Sequence, residues 1–243
     1  MTPWTPWILQ ALNGISMGAL LFLLASGFTL TFGLGRVVNL AHGAFYLLGG
    51  YLGLTVLRAT GSFWFALVAG GAGIVMVSWA CDRFLIRRTR ENVLGQVLLT
   101  VGIAYVLADI CLAFWGGSPL RVPPPEFARG PIDLPGGIVY PRYRFLLIVF
   151  GLAAFLAGLS GVAGGAFLTL YPGADWDILA YALVVVIVGG LGSLEGAMIG
   201  SLIVGLIDAY GRWLLPEFSY FMVFGPMALL LMVRPTGLFG REA

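Results

Sequence analysis

The stretch Val93-Leu94-Gly95-Gln96-Val97-Leu98-Leu99-Thr100-Val101-Gly102-Ile103-Ala104-Tyr105-Val106-Leu107-Ala108-Asp109-Ile110-Cys111-Leu112-Ala113-Phe114-Trp115 carries one charged residue, Asp109, in 23 positions. A helix crossing the roughly 30 Å hydrocarbon core of a bilayer needs about 20 consecutive, predominantly apolar residues, so this stretch reads as a membrane span. Outward from it the pattern repeats. Apolar runs broken by charges, Pro or Gly clusters fall at Ile8 to Phe32, Val37 to Leu57 and Phe63 to Ile86 before it. After it come Phe145 to Leu170, Ile178 to Val188, Ala197 to Leu214 and Tyr220 to Val233. The 243 residues are 60% hydrophobic and 10% charged, against roughly 45–50% apolar and about 25% charged in soluble domains. The expectation is one all-α, polytopic transmembrane helical bundle over residues 1–243, with about seven to nine membrane segments and no room for a large extramembrane catalytic domain.

The formal net charge of +2 and the scattered arginines offer no nucleic-acid surface; in a membrane chain the position of cations matters more than their sum. Two cysteines, Cys81 and Cys111, cannot make a disulfide framework and read as packed thiols. Met1 to Gln10 lacks the positive start of a cleaved signal, since the first Arg is Arg36. The first apolar run is therefore expected to stay in the mature protein.

Arg83, Arg87, Arg88 and Arg90 crowd the short loop between the third and fourth runs, which the positive-inside rule makes cytoplasmic. Counting spans from there puts Arg36 inside, the N-terminus and Arg58 to Ser62 outside, and the Pro-rich segment 116–144 outside. That segment's seven prolines, from Pro119 to Pro141, predict an extended, partly structured loop. Val233 to Arg241 reads as cytoplasmic on the same rule. Counting back from it brings the acidic loop Tyr171 to Asp177 outside, yet the run Phe145 to Leu170 also starts outside. A single run of 26 residues, about 39 Å as a helix, crosses once and cannot return. Either one run is re-entrant or one crossing is missing near Phe150 to Ala157.

The run from Ile178 is short and meets Gly189-Gly190-Leu191-Gly192-Ser193. This is either a tight turn between helices or a broken element of the kind that lines transporter pathways, tolerated at depth where its free backbone groups face protein or water. Ionisable residues within the runs are functional candidates by default. Asp208 has Arg212 four positions on, a helical ion-pair spacing, and reads as structural. Glu195 is placed to cap the next helix at its positive end. His42, in Asn39-Leu40-Ala41-His42-Gly43, begins the second run. Asp109 lies in the outer part of its run, facing either a cavity or the membrane edge.

Enzyme readings find little. Gly158-Leu159-Ser160-Gly161 matches the GxSG motif of rhomboid-type proteases, but nucleophilic serine needs a base within reach, a rhomboid's histidine follows its serine, and the single histidine here, His42, precedes it. Gly158, Gly161, Gly164 and Gly165 read instead as a small-residue helix face. One His, two distant Cys and scattered carboxylates make no metal-ligand cluster. No GxxxxGK[ST] phosphate loop occurs, so no cofactor is expected on this chain and any ATP is bound by another.

Five motifs in order resemble the LivH-type permeases of branched-chain amino-acid ABC importers. They are Gly27-Phe28-Thr29-Leu30-Thr31-Phe32-Gly33, then Val38-Asn39-Leu40-Ala41-His42-Gly43-Ala44-Phe45 with Gly49-Gly50-Tyr51, then Leu98-Leu99-Thr100-Val101-Gly102. Val188-Gly189-Gly190-Leu191-Gly192-Ser193-Leu194-Glu195-Gly196-Ala197 and Arg234-Pro235-Thr236-Gly237-Leu238-Phe239-Gly240 complete the series. Leu194-Glu195 departs from the apolar residue and Pro that are frequent there. The resemblance implies a permease subunit in the cytoplasmic membrane of a bacterium or archaeon. Its partners would be a second homologous permease that shares the pathway, two cytoplasmic ATPases that bind the ATP, and an extracytoplasmic substrate-binding protein that largely sets the cargo. Candidate pathway or hinge residues are Asn39, His42, Gly43, Gly189, Gly190, Gly192, Ser193 and Glu195. Arg83, Arg87, Arg88, Arg90 and Glu91 form a candidate ATPase-facing loop.

The same resemblance sets a basic and acidic cytoplasmic loop, with the helix that docks into the ATPase, between stretches similar to Tyr143 to Gly151 and Ala157 to Leu170. Here these are joined directly, so the docking loop is missing near 150–157, a loss of roughly 40 to 50 residues, one span plus a loop. Other readings of the chain are an internally deleted, non-coupled or non-functional permease remnant, or a nucleotide-independent channel for small solutes.

Overall fold

Seven helices of at least 15 residues and one β-hairpin make up the described part of the computed structural model, residues 3–35, 39–89, 92–135, 137–146 and 168–240. The helices are α1 (Thr5–Gly35), α2 (His42–Thr60), α3 (Phe63–Phe84), α4 (Val93–Trp115), α5 (Ala174–Gly189), α6 (Leu194–Leu214) and α7 (Ser219–Val233). Among the described residues, five helical segments are long and apolar enough to cross a membrane: Thr5–Thr29, Phe63–Thr89, Val93–Trp115, Leu194–Leu214 and Pro216–Val233. The polytopic helical bundle expected from the sequence is what the chain forms. Helix α5 stands apart, since its 16 residues reach only about 24 Å.

Helix ends follow local chemistry. Ser62 accepts a hydrogen bond from the Phe65 N–H at the start of α3, and Asn92 accepts one from the Gly95 N–H, 2.9 Å, at the start of α4. Each satisfies one of the free donors of a first turn. Gly61 ends α2 with φ +70°, a left-handed conformation that costs glycine little. Helix α2 begins at His42; just before it the Asn39 side chain accepts from the Ala41 N–H at 3.0 Å and turns the chain there.

Segment 116–144 is more ordered than its prolines suggest. It holds a 3-10 turn, Glu126–Ala128, and two antiparallel strands, β1 (Pro131–Leu134) and β2 (Ile138–Pro141). Pro131 pairs with Pro141 at the open end of the hairpin, where the missing N–H groups interrupt no inner rung of the ladder. The expected partly structured loop is thereby corrected to a hairpin. Tyr140 anchors it, sharing a 2.9 Å hydrogen bond with Ser16 of α1 and donating to Asn13 at 3.2 Å. Arg144 donates to the same Asn13 oxygen at 2.9 Å. Burial pushes the Tyr140 phenol above its ordinary range, with Ser16 and Arg144 pulling the other way, so it stays a donor across the physiological range.

The described residues fall into two compact units, one within Met1–Gly33, Glu126–Ala157 and Tyr181–Ala243, the other within Leu34–Pro125 and Gly158–Ala180. In the first unit, α1 meets α6 backbone to backbone. A Cβ on Gly14 would lie 2.8 Å from Leu206 Cα, one on Gly18 would lie 2.8 Å from the Ser201 carbonyl oxygen, and one on Gly205 would overlap Gly14 and Gly18. Trp7 packs edge-on against Trp213 at 4.8 Å, and Tyr210 donates to the Trp7 carbonyl at 3.0 Å. In the second unit, α2 packs against α3 and α4. Tyr51 stacks on Trp115 at 5.2 Å, and the Trp115 indole donates to Thr55 at 2.8 Å.

Gly205→Val should force α1 and α6 apart at a cost of about 1–3 kcal/mol, read as a lower thermal midpoint of the purified protein in detergent. Gly102→Ala, where nothing lies within 4 Å of an added Cβ, should leave the midpoint unchanged or raise it.

Candidate functional site: the joint between helices α5 and α6

Between α5 and α6 the chain turns through Gly190, φ +103°, and Gly192, φ +81°, both strained for any side chain but glycine's. The two helices then touch without side chains. A Cβ on Gly189 or on Gly196 would overlap the backbone of the other, and one on Gly200 would lie 2.7 Å from the Val185 carbonyl oxygen. Ser193 caps α6, its hydroxyl accepting from the Gly196 N–H at 3.0 Å. Ser193 thus makes the capping hydrogen bond, while Glu195 stands at the positive end of the helix as expected. Glu195 is exposed in the first turn, where its charge meets the positive end of the helix while the shorter Ser193 side chain makes the bond.

The last carbonyls of α5 are also satisfied. Gly190 N–H donates to Val186 within the helix, while the carbonyls of Val188 and Gly189 accept from the Leu238 and Phe239 N–H groups of the C-terminal segment, each at 2.9 Å. The Gly-rich stretch is therefore a filled joint in which three pieces of backbone meet.

Asn39, His42 and Gly43 lie in the second unit, at the start of α2. The Leu40 N–H donates to the fully buried Thr100 hydroxyl at 3.3 Å, which joins this stretch to α4. A Cβ on Gly43 would overlap the backbone of Asp175 at the start of α5. The Asp175 side chain is 2% exposed, and its Oδ1 has no hydrogen-bond partner among the described residues; the buried Tyr51 hydroxyl is in the same state. Buried polar atoms without partners are rare enough to mark a site, and reading the sequence passed over both. The signal was a carboxylate next to a short apolar run, counted only as part of an acidic loop.

Asp208 and Arg212 pair at 2.8 Å, Asp208 being buried and Arg212 partly exposed. Tyr181 of α5 completes the group, donating to Asp208 at 2.6 Å and accepting from Arg212 at 2.8 Å. Arg83 and Arg88 are exposed, and Arg87 pairs with Asp82 at 2.9 Å, an exposed contact worth little. Arg90, Glu91, the Gly158 to Gly161 motif and the junction Phe150 to Ala157 lie outside the described residues.

A chain with several helices long and apolar enough to cross a membrane and a glycine-packed joint between two helices has the build of a multi-pass membrane protein. The family model described as the branched-chain amino acid transport system permease component matches residues 10–125 and 138–232, and the chain belongs to that family. It is similar to the high-affinity branched-chain amino acid transport system permease protein LivH of Escherichia coli K12, 24% identical over 294 aligned positions that cover 96% of this chain and 95% of the relative. It is likewise similar to BraD of Pseudomonas aeruginosa, a permease protein of the same description, at 25% identity with 97% and 96% covered. A probable LivH of Methanocaldococcus jannaschii is 24% identical with 91% and 89% covered. No solved structure matches. An alignment of 294 positions against 243 residues leaves at least 51 positions of the Escherichia coli relative without a counterpart here.

Asp208→Asn should lower the thermal midpoint more than Tyr181→Phe, about 1–3 against about 1 kcal/mol, because the first strips the charge from a bond that serves both Tyr181 and Arg212. Thermal unfolding of the two purified variants in detergent checks the order.

Proposed function

We propose that this chain is a permease subunit of an ATP-driven importer of the ABC type for branched-chain amino acids or related small polar solutes. It works in the cytoplasmic membrane of a bacterium or archaeon beside a second, homologous permease, with the pathway formed between the two. Two cytoplasmic ATPase subunits bind the ATP, and an extracytoplasmic binding protein delivers the solute. The chain itself carries no cofactor and makes or breaks no covalent bond.

The observation that carries this reading is family membership along 10–125 and 138–232, which takes in the α5–α6 joint and the start of α2. In an alternating-access cycle the helices must change their relative angles while the backbone polar groups at depth find partners in each end state. The α5–α6 joint, Gly189 to Glu195, is the proposed hinge, and Asn39, His42 and Gly43, at the start of α2, are further candidate pathway or hinge residues, Gly43 through its close contact with Asp175. Arg83, Arg87, Arg88, Arg90 and Glu91 offer a charged loop to an ATPase.

Proteoliposomes containing the permease pair, the ATPases and the binding protein should accumulate labelled leucine only with ATP. Replacing the phosphate-loop lysine of the ATPase should stop uptake. Equal uptake without nucleotide would identify a channel, and ATP hydrolysis without uptake would identify an uncoupled permease.

A further inference from the structure

The C-terminal segment reaches the α5–α6 joint by a route open only to glycine. A Cβ on Gly237, φ +79°, would overlap the Ile187 carbonyl and crowd Gly190; one on Gly190 would overlap the Gly240 backbone; one on Gly240 would overlap the Thr236 carbonyl. The segment turns on a Gly237 N–H to Arg234 carbonyl bond of 3.0 Å, then presents two successive N–H groups, Leu238 and Phe239, to the carbonyls of Val188 and Gly189. Those carbonyls belong to the last turn of α5, which has no intrahelical donors for them. The segment is thus the C-terminal cap of α5, supplied from 50 positions further along the chain.

We propose that Thr236–Gly240 is a latch on the α5–α6 joint, closed in this structure, whose release from α5 is a step of the transport cycle. A change in the angle between α5 and α6 displaces Val188 and Gly189 relative to the tail, and with backbone in contact on every side no flexible side chain is available to absorb the movement. Two backbone hydrogen bonds between the segments can break and re-form within a cycle. Leu238 and Phe239 act through their N–H groups and are positioning residues for α5. The inference rests on the permease reading, since it assigns the latch a place in that cycle.

Hydrogen–deuterium exchange on the reconstituted complex, with permease pair, ATPases and binding protein, tests it. At rest the Leu238 and Phe239 amides should exchange on the order of tenfold or more slowly than unprotected ones, and hydrolysing ATP should accelerate them while amides of Val204 to Asp208 in α6 stay unchanged. Leu238→Pro, which deletes one donor, should leave Phe239 fast-exchanging without ATP and let hydrolysis proceed without the binding protein. Absence of protection at rest, no acceleration with ATP, or a Leu238→Pro variant with wild-type exchange and coupling overturns the latch. Acceleration with ATP but no leucine uptake keeps the latch and removes the cargo assignment instead.

Discussion

Apolar burial does not draw two helices together inside a bilayer, because lipid tails are as apolar as leucine; close packing and hydrogen bonds take over that role. The dependence is visible where side chains have been removed. α1 meets α6 through Gly14, Gly18 and Gly205, and α6 meets α5 through Gly189, Gly196 and Gly200. Helix α6 is thus gripped along two faces by backbone. Its single buried charge, Asp208, is held by Tyr181 from α5 and by Arg212 from α6 itself.

Close backbone contact raises a second demand, since each helix end leaves donors or acceptors that water cannot reach. The chain answers with short side chains and with its own tail: Asn39, Thr100 and Ser193 take up N–H groups, and Leu238 and Phe239 supply them to α5. Against this thorough pairing, Oδ1 of Asp175 and the Tyr51 hydroxyl are conspicuous. Both lie in the unit that contains α2 and α4.

Helix α4 was legible to the residue, Val93 to Trp115, because Asn92 precedes it and Gly116 follows it. Membership of the permease family was legible from five weak motifs in order, since order along the chain is information that no single motif holds. The start of α2 at His42 was legible as the beginning of the second run, and the Asn39 turn just before it marks the boundary. Helix α5 begins at Ala174, four positions before the Ile178 of the apolar run, since Asp175 and Asp177 interrupt the apolar pattern without interrupting the helix. The hairpin was hidden by its prolines, whose damage depends on which rung they occupy. The latch could not be read at all: hydrogen bonds between backbone atoms leave no mark on residue type except the glycines that permit the approach.

The hairpin separates an anchor from a margin. Its base is bolted by Tyr140 and Arg144 to α1 and by Arg142, which donates to the carbonyls of Phe127 and Pro131 at 3.4 Å. Residues 126–137, including the turn at Gly137, fall between the two stretches that the family shares. The entropy of closing a loop grows only with the logarithm of its length, so residues can be gained or lost at this tip while the anchor below keeps its bonds. This is a place where relatives can diverge in length and surface chemistry without disturbing the helices to which the hairpin is anchored.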